Sequence, residues 1–300
     1  MKRIVLLILM FASIVGRVHA QIDPLYAQYL SNPLVINPAY TGLNNNFTAS
    51  VAYRRQWAGY EGNPTTLNAS AHSSIFQQKM GIGFIAVQDN IGSSKNTEVN
   101  LTYAYKIDLG QSRLSFGLQG GMVNYRSNSD NLNPYDPGNW QANQNITKPN
   151  LGAGMILSSD RYFIGISSPR MLPEKASVGT SSVSIYKQHL YGMAAYIFIL
   201  SERVKFKPSV LVKGVQGAPI SADLNTSFII DNKYTAGLFT RNINTYGLLL
   251  QARMDQGYRF SYIFEVPSNK SVGVRYPTHE VCLGVSLALL KSHHNSFSNF

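Results

Sequence analysis

The chain has 300 residues, 26 Lys and Arg against 15 Asp and Glu for a net charge of +11, and a charged fraction of only 14%. A single cysteine, Cys282, excludes an intrachain disulfide framework and a cysteine-based metal site, and the basic surplus comes without any nucleic-acid-binding motif. Sparse charge beside 18 Tyr, 14 Phe and 24 Gly fits a membrane β-barrel.

Residues 1–20 have the layout of a secretory signal peptide. Lys2 and Arg3 precede an apolar run from Ile4 to Val15, and Val18-His19-Ala20 supplies small residues for cleavage after Ala20. The run is too short to span a bilayer, and no later stretch reaches the 18 or so apolar residues a transmembrane helix needs. Removal of Lys2, Arg3 and Arg17 leaves 23 basic and 15 acidic residues, net +8. An exported chain of this charge meets anionic lipid and acidic glycans rather than nucleic acid.

Residues 21–46 carry the segment Gln28-Tyr29-Leu30-Ser31-Asn32-Pro33-Leu34-Val35-Ile36-Asn37-Pro38-Ala39-Tyr40-Thr41-Gly42. Each Asn-Pro step favours a turn and extended backbone, so the segment is expected to be ordered without being a regular helix or strand. Tyr26, Tyr29, Leu30, Leu34 and Ile36 require an apolar environment. The expectation is a segment held at the periplasmic mouth of a barrel, where Gln28, Tyr29, Asn32, Pro33, Asn37, Pro38 and Tyr40 plug the opening, bind a partner, or cap the barrel and support its folding.

From Phe47 to Leu290 the dominant period is two. Val99, Leu101, Tyr103, Tyr105 and Ile107 alternate with Glu98, Asn100, Thr102, Ala104 and Lys106, placing one face in an apolar medium and the other in a polar one. Similar runs begin near Phe47, Thr66, Gly81, Arg113, Leu151, Tyr162, His189, Val204, Ala222, Tyr234, Tyr246, Tyr258 and His279, which predicts an all-β transmembrane antiparallel barrel of about 14 strands. Tyr103, Tyr105, Tyr234, Tyr246, Tyr258 and Tyr262 lie toward strand ends, as in aromatic girdles. Short turn-forming connections alternate with longer polar ones such as Arg126 to Asn150, which holds Asn133-Pro134-Tyr135-Asp136-Pro137-Gly138, and Ser168 to Lys187. Asn242-Ile243-Asn244 is short where a long loop is expected, and Ser74 to Met80 is the reverse. An arginine at outward Leu101 is expected to cost roughly 2 to 4 kcal/mol, and one at Thr102 little. Residues 291–300 form a basic tail.

Inward positions carry Arg54, Lys106, Lys205, Lys207, Arg241 and Arg253, with Lys213 and Arg259, against Glu98, Asp223 and Glu265. A basic lumen reads either as a passage or socket for an anionic partner or as a partly ion-paired filling. Enzyme chemistry finds little support. Ser70, His72 and Ser74 share one face of one strand, with no third group to orient the imidazole. His279 and Glu280 point to opposite faces, and His293-His294 lacks other ligands. Gly81-Ile82-Gly83 and Gly152-Ala153-Gly154 lie within strands, where they thin or bend the wall rather than cradle phosphate. No cofactor or metal site is expected.

The paired Asn-Pro segment, with Tyr53-Arg54-Arg55-Gln56-Trp57, Pro64-Thr65-Thr66, Asp89-Asn90-Ile91-Gly92 and His279-Glu280-Val281, closely resembles the PorP/SprF family over nearly all of Gln21 to Leu290. The resemblance implies a non-enzymatic outer-membrane protein of type IX secretion and gliding in Bacteroidetes. Such a protein supports export and surface anchoring of a large adhesin through the adhesin's C-terminal sorting domain. Its partners would be that domain, other secretion components and outer-membrane lipid, with no nucleic acid. The alternative from another class is a general porin passing small anions through a basic lumen, and a barrel enzyme is a weaker third.

Overall fold

Alternation of apolar and polar residues over long stretches builds strands whose two faces meet different media, and the computed structural model closes them into a barrel. It describes residues 27–127, 144–172, 174–178, 181–186, 188–254, 257–268 and 275–290. Residues 1–26, the heart of the Arg126–Asn150 loop and the tail at 291–300, with its two histidines, lie outside the described residues, as does Tyr26.

Three short 3-10 turns come first: η1 (Gln28–Leu30), η2 (Pro33–Val35) and η3 (Pro38–Tyr40). The strands are β1 (Phe47–Arg55), β2 (Thr65–Ile75), β3 (Met80–Ile91), β4 (Ser94–Leu109), β5 (Ser112–Ser127), β6 (Gln144–Ser159), β7 (Tyr162–Ser168), β8 (Glu174–Val178) and β9 (Ser181–Tyr186). There follow β10 (His189–Tyr196), β11 (Phe198–Ile199), β12 (Val204–Val215), β13 (Ser221–Ile230), β14 (Tyr234–Arg241), β15 (Thr245–Arg253), β16 (Tyr258–Pro267) and β17 (Thr278–Leu287). Each wall strand pairs antiparallel with its neighbours, β10 pairs β12, and β1 pairs β17 from Phe47↔Leu287 to Arg55↔His279. The ladder is therefore a closed antiparallel barrel of 14 strands. Closure removes every sheet edge along the wall, which is what allows strands to stand in hydrocarbon. The fragment β11 continues the line of β10 against β12 beyond Ile197.

Both ends of the barrel's chain lie at one rim, which we term the terminal end. The turns there are short: 76–79, 110–111, 160–161, 200–203, 231–233 and 254–257. The opposite rim, the loop end, carries 56–64, 216–220 and the tight turns 92–93 and 242–244, and the strand ends joined by 128–143, 169–188 and 268–277 lie there too. Ser74 to Met80 is less of an exception than its sequence suggests. β2 and β3 continue through it, leaving a four-residue turn in which Phe76, Gln77 and Gln78 adopt left-handed backbone. The 242–244 turn stays short at the loop end because Asn242 and Ile243 are left-handed, the geometry of a tight hairpin. A small hairpin of β8 and β9 stands within the 169–188 connection, and β6 begins seven residues earlier than its alternation suggested.

Val51, Leu101, Leu118, Ile164, Leu224, Leu238 and Leu283 are exposed on the outer wall, the band expected to meet lipid. Tyr196, Phe198, Phe206 and Phe228 stack in series near the terminal end as part of a girdle. Leu101 is 72% exposed and Thr102 only 4%. The expected contrast between arginines at these positions is corrected on one side. The lumen beside Thr102 is packed rather than water-filled, so an arginine there also meets steric and desolvation costs.

Candidate functional site

Residues 27–46 fold into the barrel and fill its lumen. The segment starts near the loop end and descends to the terminal end before β1 begins. Near the loop end the Gln28 amide donates to Asn68 Oδ1 at 3.3 Å, and the Tyr29 hydroxyl donates to Asp223 Oδ2 at 3.3 Å. Burial, with the Asp223 carboxylate beside it, pushes the Tyr29 phenol well above its ordinary range, so it stays neutral and donates. Midway, Asn32 Nδ2 donates to Ser50 Oγ at 3.0 Å and Ser70 Oγ at 2.9 Å. Lower down, Asn37 caps η3 by accepting from Ala39 N at 2.9 Å, while its Nδ2 donates to the wall carbonyls of Met155 and Ile166, each at 3.3 Å. Ser115 Oγ donates to Ala39 O and Ser167 Oγ to Ile36 O, both at 2.7 Å. At the terminal end Lys106 Nζ donates to Gly42 O at 2.6 Å and Ser74 Oγ to Asn45 O at 2.8 Å. A segment without ladder partners thus satisfies its backbone polar groups on the inner wall.

Apolar packing holds the same segment. Leu34, Ala39 and Tyr40 sit with Ile156, Phe163 and Ala195, and Ala27 with Phe239, Leu249 and Ile263. Tyr29 and Ile36 pack on Leu211. Full burial of such side chains is worth roughly 1.5 to 3 kcal/mol each. The void between the segment and β7, β10, β12, β13 and β15 has room for little more than a water molecule. Proline at the first position of η2 and of η3 presets the turns at little entropic cost.

Wall glycines make space for this arrangement. A Cβ on Gly117 would lie 2.0 Å from Ala39 N, one on Gly81 2.1 Å from Thr41 O, and one on Gly154 2.1 Å from Asn37 Oδ1. The wall-thinning role expected of Gly81 and Gly154 becomes a specific one, close approach of the segment's backbone at Gly81 and of the Asn37 side chain at Gly154.

The seven segment residues named from the sequence come together in the lumen. Gln28, Tyr29, Asn32, Pro33, Asn37, Pro38 and Tyr40 are all buried, and they extend past the terminal mouth toward the loop end. In this arrangement none of them forms an outer surface. The serine and histidine of β2 belong to the same packing. His72 Nδ1 accepts from Gly42 N at 3.0 Å and its ring meets Tyr40 edge-on, while Ser70 and Ser74 hold Asn32 and Asn45. His279 and Glu280 do face opposite ways. Glu280 is buried in the lumen and His279 bonds the Tyr262 hydroxyl at 2.7 Å on the outer side.

The lumen charges divide into two sets. Toward the loop end Arg54 contacts Glu265 at 3.2 Å and Glu280 at 3.5 Å, and Arg241 contacts Asp223 at 3.0 Å and Glu265 at 3.5 Å. A second knot ties the start of the 169–188 connection inward. Arg170 pairs with Glu98 at 2.6 Å, and Pro169 O accepts from Gln119 at 2.8 Å and Asn150 at 3.2 Å. Lys106, Lys205, Lys207 and Arg253 lie toward the terminal end, with Lys106 spent on the Gly42 carbonyl. The apolar wall residues Phe163, Phe239, Leu249 and Ile263 were missed from the sequence. Large apolar residues at inward positions have no place in a water-filled lumen, and that was the available signal.

Among the described residues no group of His, Cys, Asp and Glu could hold a metal ion. Solved structures with similar folds include the CymD monoaromatic hydrocarbon channel, at TM-score 0.50 and 9% identity, covering 91% of this chain and 95% of that one. A deltaS2S3 mutant of the TodX monoaromatic hydrocarbon channel matches at TM-score 0.50 and 10% identity, with coverages of 84% and 92%. At these identities the likeness establishes an outer-membrane barrel fold alone. No curated protein matches the chain. The family model described as "Type IX secretion system membrane protein PorP/SprF" matches residues 18–285. With that match spanning most of its length, the chain belongs to the PorP/SprF family of type IX secretion system membrane proteins.

Proposed function

We propose that this barrel serves type IX secretion as a closed outer-membrane platform that holds a large exported adhesin at the cell surface through the adhesin's C-terminal sorting domain. The observation that carries the reading is the filled lumen. A barrel occupied by its own residues 27–46, with Pro169 and Arg170 tied to the inner wall, offers partners its rims and outer loops rather than a conduit. The same filling weighs against a general anion porin, because permeation would require the segment to leave. In this reading the signal peptide ends at Ala20, the short turns and both chain ends face the periplasm, and residues 27–46 keep the barrel sealed. The remaining partners are other secretion components, as family membership implies.

The test is affinity purification of a tagged chain from outer membranes in mild detergent, with mass spectrometry of what accompanies it. The expected result is recovery of a secreted protein through its C-terminal domain, together with other secretion components. A barrel recovered alone that conducts small anions in a planar bilayer would replace this reading with the porin.

A further inference from the structure

We infer that Lys95 and Arg126, on the outer wall just above its apolar band, form a binding site for the phosphorylated headgroup of an outer-leaflet glycolipid. The site does not depend on the anchoring role, and only the choice of leaflet rests on the orientation proposed above, with the loop end outward.

The first observation is height on the wall. Val99, Leu101, Tyr103, Tyr105, Ile107 and Leu109 are the exposed outward residues of β4. Ten residues of strand, about 34 Å long and tilted by about 40°, stand about 26 Å tall, so this run fills the apolar band of an outer-membrane barrel. Above Val99 the outward positions turn polar, first Thr97 and then Lys95. On β5 the change is the same, from Met122 through Asn124 to Arg126. Lys95 therefore starts about 10 Å above the band, and its flexible stem lets the ammonium lean back into a headgroup layer about 5 to 8 Å deep.

The second observation is that the two cations are directly opposed across β4 and β5, and both are exposed. Opposed Cβ atoms stand about 5 Å apart, a like-charge pairing that disfavours the ladder and that one anion can bridge. Amides flank the pair in register, Asn90 beside Lys95 and Asn145 beside Arg126. Just below, Asn124 Nδ2 donates to Asn145 Oδ1 and Thr147 Oγ1, both at 2.8 Å. These bonds knit β5 to β6 and hold the strand that carries Arg126.

Ligand class follows from this setting. Hydrocarbon lies directly beneath the pair, so a molecule that stays there carries acyl chains below its charge. A guanidinium and an ammonium side by side match the oxygens of a phosphate. The surrounding Asn90, Thr97, Asn145 and Thr147 offer amide and hydroxyl partners suited to sugar hydroxyls. The outer leaflet of an outer membrane supplies that combination as acylated, phosphorylated glucosamine disaccharides, whereas a glycerophospholipid lacks the sugar.

The test is native mass spectrometry of the full barrel in nonionic detergent, titrated with bisphosphorylated lipid A and, in parallel, with dephosphorylated lipid A and phosphatidylglycerol. We expect a lipid A adduct whose dissociation constant rises about tenfold or more in Lys95→Gln/Arg126→Gln and by less than about twofold in Arg203→Gln at the opposite rim. The other two lipids should bind about tenfold more weakly than lipid A. Assembly is checked by the gel shift between heated and unheated samples, and Lys95→Arg should keep the binding that the double variant loses. Orientation is read separately, by attaching a maleimide too large for porins to Ser93→Cys on intact cells in a Cys282→Ser background. Labelling with no lipid A adduct, equal binding in every variant, or equal affinity for phosphatidylglycerol would overturn the proposal. Binding without labelling would place the pair in the other leaflet and overturn the glycolipid together with the orientation.

Discussion

Replacing Gly117 by valine should expel the lumen segment and open the barrel while leaving its wall intact. On β5 this residue faces inward, and a Cβ there would lie 2.0 Å from Ala39 N and 2.3 Å from the Pro38 carbonyl carbon. Both are backbone atoms of a turn fixed by Pro38 and by the Asn37 cap, so no side chain can swing aside. Valine itself suits a strand, and the pairing of Gly117 with Ala104 and Gly154 needs no glycine. The clash therefore falls on the segment and spares the ladder. In planar bilayers the variant is expected to show stable open conductance where the parent shows none. A variant as closed as the parent would mean that the segment does not pack against Gly117.

Arg241→Met should cost about 3 to 5 kcal/mol of barrel stability, the penalty for stranding buried charges. Arg241 sits between Asp223 at 3.0 Å and Glu265 at 3.5 Å, all three nearly sealed from solvent. Its loss leaves Asp223 with the Tyr29 hydroxyl as its remaining donor, and leaves Glu265 to Arg54. Because Tyr29 is part of the lumen segment, the defect should loosen the plug as well as the wall. The check is denaturant unfolding in detergent micelles, with Arg241→Met/Asp223→Asn as the second corner of a cycle. Neutralising the stranded partner should recover a substantial part of the loss. If the single variant lost less than about 1 kcal/mol, the network would be ornamental rather than structural.

The wall was legible because period-two alternation records which residue meets lipid, whatever lies inside. Leu101 and Thr102 fell on the correct faces, and the strand starts at Tyr162, His189, Val204, Tyr234 and Tyr258 match the structure. What alternation does not record is the company a lumen residue keeps. Asn68, Ser70 and His72 read as ordinary polar lining, yet the first two hold Gln28 and Asn32 and the third holds Gly42. Position 117 likewise reads the same whether a glycine bends a strand or admits a backbone, since only the tertiary structure brings Ala39 against it. The Asn-Pro pairs signalled an ordered segment, and its apolar side chains signalled burial. Their partners, Phe163, Leu211, Phe239 and Leu249, are scattered over much of the barrel and converge only on closure.

The claim that the chain seals its own lumen is tested most directly by a cross-link between Asn32→Cys and Ser70→Cys, introduced with Cys282→Ser and assayed in intact outer membranes. Asn32 Nδ2 and Ser70 Oγ are 2.9 Å apart across the segment and the wall, and both residues are buried. Near-complete joining under mild oxidation or with a short thiol cross-linker is the expected result. Failure to join in a barrel that is otherwise assembled would place the segment outside the lumen and contradict the account.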